Sequence, residues 1–218
     1  ARLLREGKVQ LFCADSIDAE SLLNGNAAPR RRAEMQEKYF LYLTTELAPR
    51  ILALNAPAAK IEGAEKDAKP VEVSPVLWCA GVDTGAYQAV NCRLRRPELF
   101  AGAIGLSGLY DVSRFFGREA DDLILRNSPI AALHEDGILA KAALAKAGEN
   151  SLLLCAGQGN YEGEALDDTQ SLADALQDQG LPAHLEIWGG DVSHDWYWWG
   201  KEFGLFAERI FDCSSLRF

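Results

Sequence analysis

The tightest constraint on the fold lies between Val76 and Arg96, where a short apolar run, an abrupt turn and an amphipathic stretch follow one another with no linker. Val76 to Ala80 has the length and apolarity of a buried strand. Gly81 to Gly85 reads as a tight turn, and Ala86 to Arg96 has helical spacing and is stopped by Pro97. A reversal this sharp presses positions 81 and 85 against neighbouring backbone, so both must be small, while the side chain between them, Asp83, projects above the sheet. That is the geometry of a nucleophile elbow. A plain glycine-rich turn with an Asp capping the next helix has the same pattern.

The rest of the chain repeats the alternation. Lys8 to Ala14, which runs into Asp15, Ala103 to Leu106 and Ser151 to Ala156 are apolar runs suited to buried parallel strands, and His184 to Trp188 reads as the last strand. Helical spacing covers Pro29 to Leu54, with Pro49 expected to kink or end it, and also Lys141 to Ala147, Leu166 to Gln179 and Lys201 to Phe211. Asn55 to Pro75 mixes Ala, Pro, Lys and Glu without an apolar period and reads as an exposed connection. Strands alternating with helices predict an α/β fold, a mostly parallel sheet with helices on both faces, and 218 residues suit a single domain over residues 1–218.

Charge narrows the partners. The 22 basic and 32 acidic residues leave a formal charge of −10, which repels nucleic-acid phosphates and anionic lipid and points instead to a small-molecule ligand or a protein partner. No apolar run approaches the ~20 residues that cross a bilayer, and ARLLREGK has no signal-peptide core. The five cysteines are an odd count without paired spacing, and Cys13, Cys79 and Cys155 lie in apolar runs, so they read as buried reduced thiols and favour the cytoplasm. His134 and His184 are isolated, Asp15 and Asp18 match no ligand spacing, and neither a metal nor a cofactor is expected.

The order of the remaining motifs carries a resemblance. NCRLRRPELFAGAIGLSGLYD after the turn, RNSPIAAL from Arg126, GQGNYE from Gly157 and WGGDVSHDWYWW from Trp188 resemble, in that order, the esterase-D-like esterase family of the α/β-hydrolases. The likeness runs from about residue 8 to 206, and LSGLYD and SHDWYWW are its most specific pieces. It implies a hydrolase sheet with a triad in the order nucleophile, acid, histidine. Carried over by position, Asp83 stands where the family has its serine and His194 matches the histidine. The acid falls in the loop after Ala156, with Glu162 as the best match and Glu164 the fallback. The backbone N–H of Thr84 would serve as an oxyanion donor. Ser107 lies after a different strand, where the family keeps a serine without using it for attack. Trp196, Tyr197, Trp198 and Trp199 read mainly as packing around the loop.

Two departures bear on chemistry. The family carries about three more strands before the one expected at Val9 to Ala14, and a loop among them supplies the second oxyanion donor; the N-terminal strands are therefore expected to be missing from this chain. In addition, Asp83 is a poor acyl acceptor, because its attack on an ester gives a mixed anhydride that reverses. Haloalkane dehalogenases and epoxide hydrolases do use an Asp at this turn, to displace a leaving group from saturated carbon. Three readings stand: a degenerate hydrolase that binds a ligand, an Asp-nucleophile hydrolase, and a carboxylesterase using another nucleophile. Whether the chain is an enzyme stays open at this point.

Overall fold

The computed structural model describes residues 2–54, 76–117, 121–134, 151–181 and 183–212. Four strands, β1 (Trp78–Val82), β2 (Gly102–Leu106), β3 (Leu152–Ala156) and β4 (His184–Ile187), form one parallel sheet in the order β1-β2-β3-β4. The register levels their C-terminal ends: Val82 pairs with Leu106, Leu106 with Cys155, and Ala156 with Ile187. Whatever follows each strand is therefore delivered to one edge, where open α/β sheets place their ligands.

The central strands β2 and β3 are buried throughout, which is why they read as unbroken apolar runs. Their residues alternate between two cores. Ala103, Leu152 and Leu154 join the larger core with Ala86, Tyr87 and Val90 of α4 (Thr84–Arg95) and Leu172 and Leu176 of α8 (Gly163–Asp178). Ile104, Leu106, Leu153 and Cys155 face the other way, onto Trp199 and Phe206 of α9 (Trp196–Phe211). Helices thus cover both faces, as the alternation predicts. The other helices among the described residues are α1 (Arg2–Arg5), α2 (Pro29–Leu41), α3 (Ala48–Leu54), α5 (Ser113–Phe116), α6 (Asp122–Arg126) and α7 (Pro129–His134).

Several expectations are corrected. Lys8 to Ala14 is not a strand: it has no ladder partner among the described residues, Leu11 and Phe12 are 57% and 42% exposed, and Cys13 is exposed as well. An apolar run becomes a strand only where a neighbouring ladder and a facing layer exist, and this run finds neither. Pro49 does not end its helix. A π-helical stretch, Tyr42–Leu47, links α2 to α3, and its wider turn accommodates the proline, which can donate no hydrogen bond. Helix α9 begins at Trp196 rather than Lys201, because Asp195 Oδ1 accepts from the backbone N–H groups of Tyr197 at 2.9 Å and Trp198 at 3.2 Å, capping a helix in which the aromatic run forms the first turn. The helix expected over Lys141 to Ala147 and the connection over residues 55–75 lie outside the described residues. No helix among the described residues is long and apolar enough to cross a membrane.

Candidate functional site

The turn after β1 is as tight as its glycines imply on one side only. A Cβ at Gly81 would lie 2.0 Å from the Gly85 carbonyl oxygen, whereas one at Gly85 would meet nothing within 4 Å. Asp83 takes φ 53° and ψ −124°, a left-handed conformation costly for a side-chain-bearing residue. Its N–H donates to the Leu106 carbonyl at 3.1 Å and its own carbonyl accepts from the Ala86 N–H at 3.0 Å, so both sheet and helix hold the strained unit.

Two other loops bring partners to it. A Cβ at Gly157 would stand 2.2 Å from the Val192 carbonyl oxygen, so this glycine lets the loop after β3 lie against the loop after β4. The His194 N–H donates to the Asn160 carbonyl at 3.0 Å and locks the two loops together. His194 consequently sits between two carboxylates. Its Nε2 is 3.6 Å from Asp83 Oδ2 and its Nδ1 is 3.4 Å from Glu162 Oε1. Glu162, on the loop just before α8, is 1% exposed; its Oε1 accepts from the Ser107 hydroxyl at 2.7 Å and its Oε2 from the Gly157 N–H at 3.3 Å. The Trp199 ring meets the imidazole edge to face at 4.8 Å, and its Nε1 donates to Ser107 Oγ at 2.9 Å.

Charge follows from this geometry. Asp83 and Glu162, the first more strongly, outweigh burial and push the His194 imidazolium up to about 9. At neutral pH roughly one molecule in a hundred has a neutral imidazole. Beneath the site Glu202 of α9 is fully buried: it accepts from the Cys155 thiol at 3.5 Å, and its other oxygen has no hydrogen-bond partner. Burial, with Glu162 and Glu186 nearby, pushes Glu202 up to about 7.

The structure thus gathers Asp83, His194 and Glu162 and leaves the fallback acid aside. Glu164 points outward, its side chain 79% exposed and paired with Arg114 at 2.7 Å. The Thr84 hydroxyl turns to Asp18 at 2.8 Å, leaving its backbone N–H at the open first turn of α4. Tyr161, at φ 64°, is 92% exposed and lines an open cleft of about 450 Å³ with Leu109, Gly163, Glu164, Ala165 and His194. The aromatic run divides: Trp199 packs, while Trp196 and Tyr197 are 77% and 64% exposed. His184 pairs with Glu186 at 2.8 Å, away from the site. Among the described residues no group of three His, Cys, Asp or Glu side chains is placed to hold a metal ion. Sequence reasoning missed three of these features, namely the bond from Ser107 to Glu162, the place of Trp199 against His194, and the buried acid Glu202; none of them follows a chain motif.

A parallel sheet covered on both faces, with polar residues gathered at the carboxyl ends of its strands, is an open α/β architecture, and the strand, sharp turn and helix around Asp83 fit the α/β-hydrolase form of it. Solved structures bear this out. The chain is similar to a ferulic acid esterase (TM-score 0.54, 18% identity, covering 80% of this chain and 61% of that one). It is similar also to Mycobacterium tuberculosis MPT51 (TM-score 0.55, 14% identity, covering 82% and 69%). A third match is an S-formylglutathione hydrolase from Agrobacterium tumefaciens (TM-score 0.50, 14% identity, covering 78% and 57%). No family model matches the chain, and no curated protein matches it.

Proposed function

We propose that this is an esterase-lineage α/β-hydrolase-fold protein in which Asp83 stands at the nucleophile position, and that it binds a ligand in the cleft beside His194 without ordinary serine-esterase turnover. The observation that carries this reading is the placement of the His194 imidazole between the Asp83 and Glu162 carboxylates, at 3.6 Å and 3.4 Å. Serine-esterase chemistry needs a neutral imidazole to take the hydroxyl proton and an acid to orient the ring. Asp83 works against it twice, since it supplies no hydroxyl and its charge helps keep His194 protonated up to about 9. Ser107 is no substitute nucleophile, because it is wholly buried and its proton is committed to Glu162.

The test is Asp83→Ser. Removing the carboxylate lowers the basicity of His194 and restores a hydroxyl beside it, so the variant should hydrolyse short-chain p-nitrophenyl esters that the parent leaves intact, and adding His194→Ala should abolish the gain. A parent that hydrolyses these esters, with His194→Ala inactive, would falsify the proposal.

A second reading is supported by the access of Asp83, whose side chain is 39% exposed and 3.6 Å from the imidazole. In that reading a carboxylate oxygen attacks a saturated carbon and the leaving group departs with its electron pair. The resulting alkyl ester removes the Asp83 charge, so the hold on the imidazolium weakens and His194 releases its proton. The neutral ring then takes a proton from water as the hydroxide adds to the ester carbonyl and returns it to the departing alkoxide, which leaves as alcohol, and the acid formed at Asp83 gives its proton back to His194. Turnover of epoxides or haloalkanes by the parent, lost in Asp83→Ser, is the signature of this reading. Silence of the parent toward both substrates favours the ligand-binding one.

A further inference from the structure

Glu162 Oε1 faces two donors, the Ser107 hydroxyl at 2.7 Å and His194 Nδ1 at 3.4 Å. The first is a hydrogen bond, and the second is only a close approach, since His194 Nδ1 has no hydrogen-bond partner. The direction of the first bond follows from a third group. Indole Nε1–H can only donate, and that of Trp199 approaches Ser107 Oγ at 2.9 Å, so it occupies a hydroxyl lone pair and leaves the serine proton to point at Glu162. The backbone itself does not call for a serine here: residue 107 sits at φ 46°, a conformation that glycine adopts without cost.

We propose that Ser107, aimed by Trp199, is a positioning residue that holds Glu162 Oε1 off His194 Nδ1 and so sets how tightly the imidazolium is gripped. The hydroxyl occupies the oxygen that would otherwise close on the ring, and its donated proton spreads the carboxylate charge away from His194. The relay runs from α9 through the end of β2 to the loop after β3. The other groups bearing on His194 are Asp83 from the turn after β1 and Glu202 from α9, whereas the Ser107 hydroxyl bonds to Glu162 and Trp199. The inference concerns ionisation and geometry, so it stands whether the site turns over a substrate or only binds one.

The experiment is an NMR titration of the histidine rings in the full chain, which has only three histidines; His194→Gln assigns the signal. In Ser107→Ala and Ser107→Gly the His194 midpoint should rise by about one pH unit, the share of a charge-assisted hydrogen bond that the ring recovers, and its Nδ1–H resonance should move downfield. Ser107→Cys, a weaker donor of similar shape, should fall between parent and alanine. In Trp199→Phe, which keeps the ring contact and removes the indole donor, the rise should be smaller. The glycine variant guards against a folding artefact, since it relieves the positive φ that alanine keeps. A midpoint unmoved in both Ser107→Ala and Ser107→Gly, or one that falls in both, overturns the proposal. Failure of the esterase test above leaves these readouts unaffected.

Discussion

Raising the pH from about 6 to about 10 should remove roughly 3 kcal/mol of folding stability through His194. Its ionisation moves from the ordinary 6.5 to about 9 in the folded chain, so the folded state keeps a proton that the unfolded state gives up. About 2.5 units at ~1.4 kcal/mol each gives the figure. The side chain is 17% exposed, so solvent screening takes a small part of it. A group whose folded value is raised contributes its full stability below the unfolded value, here below about 6.5, and loses it as the pH climbs through about 9. Urea unfolding at fixed pH points across that range would show the free energy still falling between about 7.5 and 9, above most of the Glu202 titration. The slope in that upper window should vanish in His194→Gln and shrink in Asp83→Asn, which leaves the imidazole only Glu162. A parent with constant stability from about 6.5 to about 9.5, or the same fall in His194→Gln, would refute the argument that the two carboxylates hold the charge.

Glu202 has its own window: raised from 4.5 to about 7, it favours the folded state while protonated and costs stability as the pH rises from about 4.5 through 7. Glu202→Gln should therefore be more stable than the parent at pH 8, by an amount on the order of 3 kcal/mol in urea unfolding, with no gain at pH 4. The two elbow glycines should behave differently under substitution. Gly81→Ala drives a Cβ into the Gly85 carbonyl and should cost several kcal/mol or prevent folding, while Gly85→Ala, with open space around it in a helix, should be neutral or up to about 1 kcal/mol more stable in thermal melts. Asp195→Ala removes two capping bonds from α9 and should cost about 1 kcal/mol by the same measurement.

How much of this was legible in the chain depended on the distance over which each feature is decided. Strands β2 and β3 could be read because a strand buried on both faces is a continuous apolar run bounded by turn residues, and Ala103 to Leu106 and Ser151 to Ala156 have that form. Lys8 to Ala14 has the same form and is not a strand, because pairing is a property of the neighbours and not of the run. The start of α9 was hidden by four consecutive aromatic residues, although Asp195 ahead of them was a readable cap. At the site, motif order and turn geometry pointed to Asp83, Glu162 and His194. The bond between Ser107 and Glu162 spans 55 positions with no period that links them. The charge on His194 was equally invisible, because it depends on two distances that no spacing encodes.

Backbone strain bears on whether the site has merely decayed. Among the described residues, three that are not glycine have positive φ: Asp83 at 53°, Ser107 at 46° and Tyr161 at 64°. All three follow strand ends that the register brings to one edge, and each costs on the order of 1 kcal/mol or more relative to a glycine in the same place. Glycine at any of them would keep the chain path and remove that cost, so the side chains, not the path, are what the strain maintains. Each side chain has a distinct place in one assembly: Asp83 faces the imidazole, Ser107 donates to Glu162, and Tyr161 stands in water on the wall of the cleft. Two of the three also give something back, since Asp83 faces the His194 imidazole and Ser107 bonds to both Glu162 and Trp199, whereas Tyr161 is 92% exposed and its strain has no such offset. On the ligand-binding reading proposed above, the strained trio is pre-organisation of the site, with Asp83 and the imidazole it faces as part of what that site offers to a ligand.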